Sequence, residues 1–180
     1  MLQITVPAAE YYDELKEEFV YTKPQTLQLE HSLVSLSKWE SKWNKAFLSK
    51  DSKTTEETVD YIRCMTITQN VSPEVYYRLT NEIIDEVSRY IDLPMTATTF
   101  NDDNSRKGKG EVVTAEIIYY WMIALNIPLE CQKWHLNRLL TLIRVCNIKN
   151  SPPKKMSQKE IMSRNRALNA ARRKQLNTKG

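Results

Sequence analysis

Glycine is almost missing from this chain: three residues in 180, Gly108, Gly110 and Gly180. Sheet-rich folds and phosphate-cradling loops use glycine where the backbone takes positive φ or closely approaches a ligand. Its scarcity argues for helices joined by short turns and against nucleotide-binding folds of the P-loop or Rossmann kind. Cysteine is scarce as well. Cys64, Cys131 and Cys146 are odd in number and form no CxxC pair, the pattern of buried reduced thiols in a reducing compartment. Long apolar runs are absent too. The longest, Ile117–Leu125, has nine residues, about half of a membrane span. Met1–Val6 has neither the charged start nor the apolar run of a signal peptide. The expected location is the cytoplasm.

Hydrophobic residues make up 41% of the chain, an ordinary share for a globular protein and too high for a wholly disordered one. The net charge of +4 conceals a split. Residues 151–180 hold nine Lys or Arg and one acid, Glu160, for a net of +8, so residues 1–150 carry −4. The expected organisation is a core domain over 1–150 and a basic C-terminal tail over 151–180, with Ser151-Pro152-Pro153 as a stiff hinge.

Leu2–Val6 and Thr26–Glu30 alternate apolar and polar residues and read as short half-buried strands that pair with each other. Between them Glu10–Val20 reads as a helical turn or two, with Tyr12, Leu15 and Phe19 on one face. From there helical spacing dominates. Ser32–Phe47 aligns Leu36, Trp39, Trp43 and Phe47 on one stripe. Thr54-x-x-Glu57 is a capping box that opens a helix to about Thr66, with Val59 and Ile62 inward. Ser72-Pro73-Glu74 starts a helix or helix pair to about Ile91, using Leu79, Ile83, Val87 and Ile91. Asn101–Gly110 reads as a mobile polar loop. Thr114 then caps a helix that is apolar nearly all round, the kind that lies at the centre of a domain. Pro128 breaks it, and Leu129–Cys146 follows as a helix burying Leu136, Leu139, Leu140, Ile143 and Cys146. These two helices, packed antiparallel, are the expected core. Ser157-x-x-Glu160 caps a last, cation-rich helix to about Leu176, which is marginal on its own. The fold class is mainly α: a compact helical domain with a small N-terminal β element and a basic C-terminal helix.

Few constellations suggest chemistry. Cys131 and His135 form an i, i+4 pair that, on one helix face, could hold a metal or act as thiolate and base. A structural zinc needs four ligands, and the only other histidine, His31, has no cysteine spaced near it, so packing is the better reading. Asp102-Asp103-Asn104 fails the calcium-loop pattern because Ser105-Arg106-Lys107 follows and the closing glutamate is missing. No catalytic residue, metal site or cofactor site is expected. Trp39, Trp43, Trp121 and Trp134 sit at helical spacing and suit a core, with Trp39 and Trp43 the better candidates for a binding surface. The tail offers Lys154, Lys155, Lys159, Arg164, Arg166, Arg172, Arg173 and Lys174. Such a segment suits a polyanion, an acidic protein partner or a solubilising role. No aromatic residue interleaves the cations, so base stacking is unsupported.

The run Thr26–Trp43, TLQLEHSLVSLSKWESKW, resembles a block in small proteins of tailed bacteriophages. So does Glu116–Asn150, with Tyr119-Tyr120-Trp121-Met122 and Cys131-Gln132-Lys133-Trp134-His135-Leu136-Asn137-Arg138. The ending Pro152-Pro153-Lys154-Lys155-Met156 with Arg164-Asn165-Arg166-Ala167-Leu168-Asn169 is similar too. The family is that of tail assembly chaperones, encoded upstream of the tape measure protein. The resemblance implies a non-enzymatic protein of the host cytoplasm that binds the tape measure protein, with the major tail protein as a second partner, before tube subunits polymerise. It also implies a longer frameshifted product, for which lysine codons at Lys154-Lys155 would suit slippage. Partner contacts are assigned to Lys154, Lys155, Arg164, Arg166, Arg172, Arg173 and Lys174, with Trp39 and Trp43, and self-association stays open. The alternatives are a nucleic-acid-binding phage protein using the basic arm and a structural head–tail component of the virion. No membrane partner is expected.

Overall fold

A computed structural model of the chain describes residues 1–13, 17–100, 112–152 and 158–177. Leu15, the loop Asn101–Gly110 with Asp102–Asn104, Lys154, Lys155 and the Ser157 cap lie outside the described residues. The described part is mainly α and forms two compact units, Met1–Asn147 and Ile148–Gly180. No described helix is long and apolar enough to cross a membrane.

The first unit opens with four strands: β1 (Leu2–Val6), β2 (Ala9–Asp13), β3 (Glu18–Thr22) and β4 (Gln25–Leu29). β1 pairs antiparallel with β4, Leu2 opposite Leu29 and Val6 opposite Gln25. Ile4, Val6, Leu27 and Leu29 face inward while Gln3, Thr5, Thr26 and Gln28 face out, as a period of two requires. The helical turn expected over Glu10–Val20 is instead a second antiparallel pair, β2 with β3, Tyr12 opposite Phe19. Tyr12 and Phe19 fit a helical face and a cross-strand pair equally well. The local enrichment in Tyr, Phe and Val and the continuation of an existing ribbon favour the strand. The two pairs are interrupted where Pro7-Ala8 faces Lys23-Pro24, since a proline has no N–H for the ladder.

The helices of this unit are α1 (Leu33–Trp43), α2 (Thr55–Met65), α3 (Asn81–Asp92), α4 (Ala115–Ala124) and α5 (Leu136–Asn150), the last ending in the second unit. Ser32 and Ser35 cap α1 reciprocally, and Thr54 and Glu57 do the same for α2, contacts worth about 1 kcal/mol at each helix start. Pro73–Arg78 is a 3-10 turn rather than the first turns of a longer helix, and α3 begins after it. The helix expected over Leu129–Cys146 is likewise divided. A 3-10 turn covers Leu129–Lys133, the chain extends at Trp134 and His135, and α5 starts at Leu136. Long-range pairing overrides helical spacing here: the Leu136 amide donates to the His31 carbonyl at 2.7 Å, and Ser32 forms an isolated bridge with His135.

The core has two clusters, and α1 supplies both. One joins Ile4, Val6, Leu27 and Leu29 to Trp39, Tyr61, Ile62, Met65, Val87 and Tyr90. The other joins Leu33 and Leu36 to Ile118, Met122, Leu136, Leu139 and Ile143. The expected core of α4 against α5 is therefore only part of one cluster, and the closest backbone packing of α4 is against α1. Nor is α4 buried all round. Ile118 and Met122 are fully buried, but Tyr120 and Ile123 are 67% and 69% exposed. Where the described backbone turns left-handed, asparagine often stands in for glycine, as at Asn44, Asn70 and Asn126, because its short polar side chain tolerates that region better than most.

The second unit contains α6 (Gln158–Leu176). Its described side chains are all exposed.

Candidate functional site

Glu40 organises an apolar groove of the first unit. Its carboxylate is buried on α1 and accepts the Phe47 amide at 2.8 Å and the Ala115 amide at 2.7 Å. The second bond caps α4, whose own N-cap residue Thr114 makes no side-chain cap, and places a negative charge at the positive end of that helix. One side chain thus fixes the loop that follows α1 and the strand of chain that enters α4. Phe47 anchors the loop further by stacking on Tyr61 at 3.8 Å, and the Lys45 ammonium pairs with the Glu57 carboxylate. Between these walls lies a groove of about 650 Å³, lined by Leu48, Val112, Val113, Trp121 and Leu140, with Lys50 and Asp51 at its rim. Leu48 and Val112 are 39% and 53% exposed. A trough walled by aliphatic side chains and one indole, with opposite charges at the edge, suits an amphipathic helix laid along it.

The buried polar groups sit elsewhere. The ring of His31 lies 5.2 Å from that of His135, although 104 positions separate them in sequence. His31 Nδ1 is 2.6 Å from the Tyr61 hydroxyl. His135 Nδ1 accepts the Asn137 amide, and Nε2 therefore donates to the Tyr90 carbonyl at 3.1 Å, which fixes a neutral tautomer. Burial, reinforced by the neighbouring His135, holds the His31 imidazole down at about 3. Burial also lowers His135, partly offset by its bond to Tyr90. Both rings are neutral packing elements near pH 7. Burial raises the Tyr61 and Cys64 groups as well. Asp60 is pushed up by burial, yet hydrogen bonds from Lys42 at 2.6 Å and Trp43 at 2.9 Å leave it below the usual carboxylate range.

Cys131 and His135 do not share a helix face: one lies in a 3-10 turn and the other in the extended break, with both ring nitrogens of His135 already bonded. Among the described residues no three His, Cys, Asp or Glu side chains converge as metal ligands. Trp39 belongs to the core rather than to a surface: it is 1% exposed, and its indole donates to the Glu57 carbonyl at 2.9 Å. Trp43 is half-buried, stacked on Trp39 at 6.1 Å. Arg164, Arg166, Arg172, Arg173 and Lys174 are exposed along α6, while Lys154 and Lys155 lie outside the described residues. The groove was not legible in the sequence, because Leu48, Val112 and Leu140 come from three separate segments, two of which Glu40 ties together.

No protein-family model matches the chain, and no curated protein or solved structure is significantly similar to it.

Proposed function

We propose that this protein works by holding another macromolecule, and that it is a tail assembly chaperone whose client is the tape measure protein of a tailed bacteriophage. The observation that supports this most is the apolar groove lined by Leu48, Val112, Val113, Trp121 and Leu140. A long helical client presents amphipathic segments that aggregate unless their apolar stripe is covered, and a groove of this kind covers one reversibly. Its two walls are tied by Glu40, so it is formed before the client arrives and little ordering cost falls on binding. The exposed cations of α6 add solubility to such a complex. The sequence resemblance points the same way.

Co-expression tests the reading. The wild-type chain should keep tape measure segments soluble, Leu48→Glu with Leu140→Glu should not, and purified virions should lack the chain. Tape measure protein that stays equally soluble with the double variant would end the groove reading, and the chain at fixed copy number in virions would make it a structural component.

A second reading rests on one observation: Lys159, Arg166 and Arg173 recur every seven residues on α6, all exposed. Such a row neutralises phosphates at intervals. Duplex DNA binding that falls steeply with salt and disappears on deletion of 153–180 would favour it.

A further inference from the structure

Two surfaces of opposite charge stand uncovered in this chain. The first is the β2–β3 hairpin. Its register sets Tyr12 opposite Phe19 and Glu10 opposite Tyr21, and strand alternation places all four on one face. Tyr12, Phe19 and Tyr21 are 50%, 61% and 73% exposed, with the Tyr12 and Phe19 rings edge to face at 5.2 Å. Residues 9–22 carry five acids (Glu10, Asp13, Glu14, Glu17 and Glu18) against Lys16 alone. A two-stranded ribbon with an open aromatic face is marginal in water, and such a patch marks an interaction site.

The hairpin is nevertheless held in place. From the 3-10 turn Pro73–Arg78, Arg78 Nη1 donates to the Pro7 carbonyl at 2.9 Å and to Thr22 Oγ1 at 2.7 Å. Thr22 in turn exchanges two bonds with Ala9. This clamp sits at the break between the two strand pairs, so the acidic arm is presented in one orientation.

The second surface is α6. Its 19 residues carry six cations against Glu160. Ile161 and Leu168, 44% and 46% exposed, form a short apolar stripe seven residues apart beside the basic row. A helix with so little apolar surface of its own is marginal alone.

We propose that copies of this chain associate through these two surfaces, the basic helix α6 of one molecule lying on the aromatic face of another molecule's β2–β3 hairpin, whose residues 9–22 are net acidic. The charges are complementary, and guanidinium groups stack favourably on Tyr and Phe rings. A five-residue strand of about 17 Å faces about eleven residues of helix, which brings Arg166 and Arg173 onto one hairpin together. The contact joins unlike surfaces, so it closes when two molecules exchange helices or when a ring completes. It uses neither the groove nor a client and stands or falls separately from the chaperone reading.

The test is the mass of the nuclease-treated full chain by light scattering, at about 50 mM and about 500 mM salt. The wild-type protein should show at least twice the 21.1 kDa of one chain at low salt and revert to 21.1 kDa at high salt. Glu10→Lys with Glu18→Lys takes residues 9–22 from a net of −4 to 0, and Arg166→Glu with Arg173→Glu takes α6 from +5 to +1, so each variant removes the attraction on one side of the contact. Each variant alone should stay at the mass of one chain, and an equimolar mixture should recover the larger species. A wild-type chain that remains single at low salt overturns the proposal, including one in which α6 cross-links to its own hairpin. A mixture that fails to associate, or a large species indifferent to both variants, overturns it equally.

Discussion

Lowering the pH from 7 to 5 should weaken the fold through His31. In the unfolded chain an imidazole titrates near 6.5; in the folded chain burial holds His31 down at about 3, helped by the proximity of His135. Between those values the unfolded state carries a proton that the folded state does not. The contribution of the neutral ring is therefore complete above about 6.5 and is lost progressively as pH falls toward 3. At 1.36 kcal/mol per unit, the step from pH 7 to 5 removes about 2 kcal/mol from His31 alone. His135, also lowered by burial, adds in the same direction. Glu57 is lowered by its bonds from Lys45 and Thr54, and Asp60 is lowered despite burial. Those carboxylates contribute above their unfolded values and lose that contribution only below about pH 4.5, so the window from 7 to 5 isolates the imidazoles. Urea unfolding followed by tryptophan fluorescence measures the slope, and His31→Gln should flatten it by about one proton. An identical slope in wild type and His31→Gln would refute the reasoning, as would an NMR titration showing His31 protonated in the folded protein above pH 5.

Glu40→Ala orphans the Phe47 and Ala115 amides and should cost about 2–4 kcal/mol in urea unfolding; Glu40→Gln, which keeps one acceptor, should fall between. Arg78→Ala should raise hydrogen exchange in β2 and β3 with little change in α1 or α2, since the clamp acts only on the arm. Leu36→Ala, at a fully buried position shared by α1, α4 and α5, should cost about 2–5 kcal/mol. Leu140→Glu should weaken binding of an amphipathic tape measure peptide by about tenfold or more, measured by fluorescence titration, while its melting temperature moves far less than that of Leu36→Ala.

Local signals carried much of the fold. Alternation in Leu2–Val6 and Thr26–Glu30 was enough to place β1 and β4, and the Thr54 box placed the start of α2, because each depends on neighbours a few residues apart. Residues 9–22 were misread because their aromatic spacing satisfies two periods, and the register with β1–β4 selects between them. The break at Trp134-His135 was hidden for a similar reason: the Leu136 amide finds its partner at His31, 105 positions away. The basic tail was visible as composition, but not the acidic hairpin, nor that Trp39 would be buried while Tyr12, Phe19 and Tyr21 stay open. The groove depended entirely on long-range geometry. A buried carboxylate on α1 reaching the amide of Ala115 brings Leu48 and Val112 to the same trough, and no pattern of near neighbours encodes a bond across 75 residues.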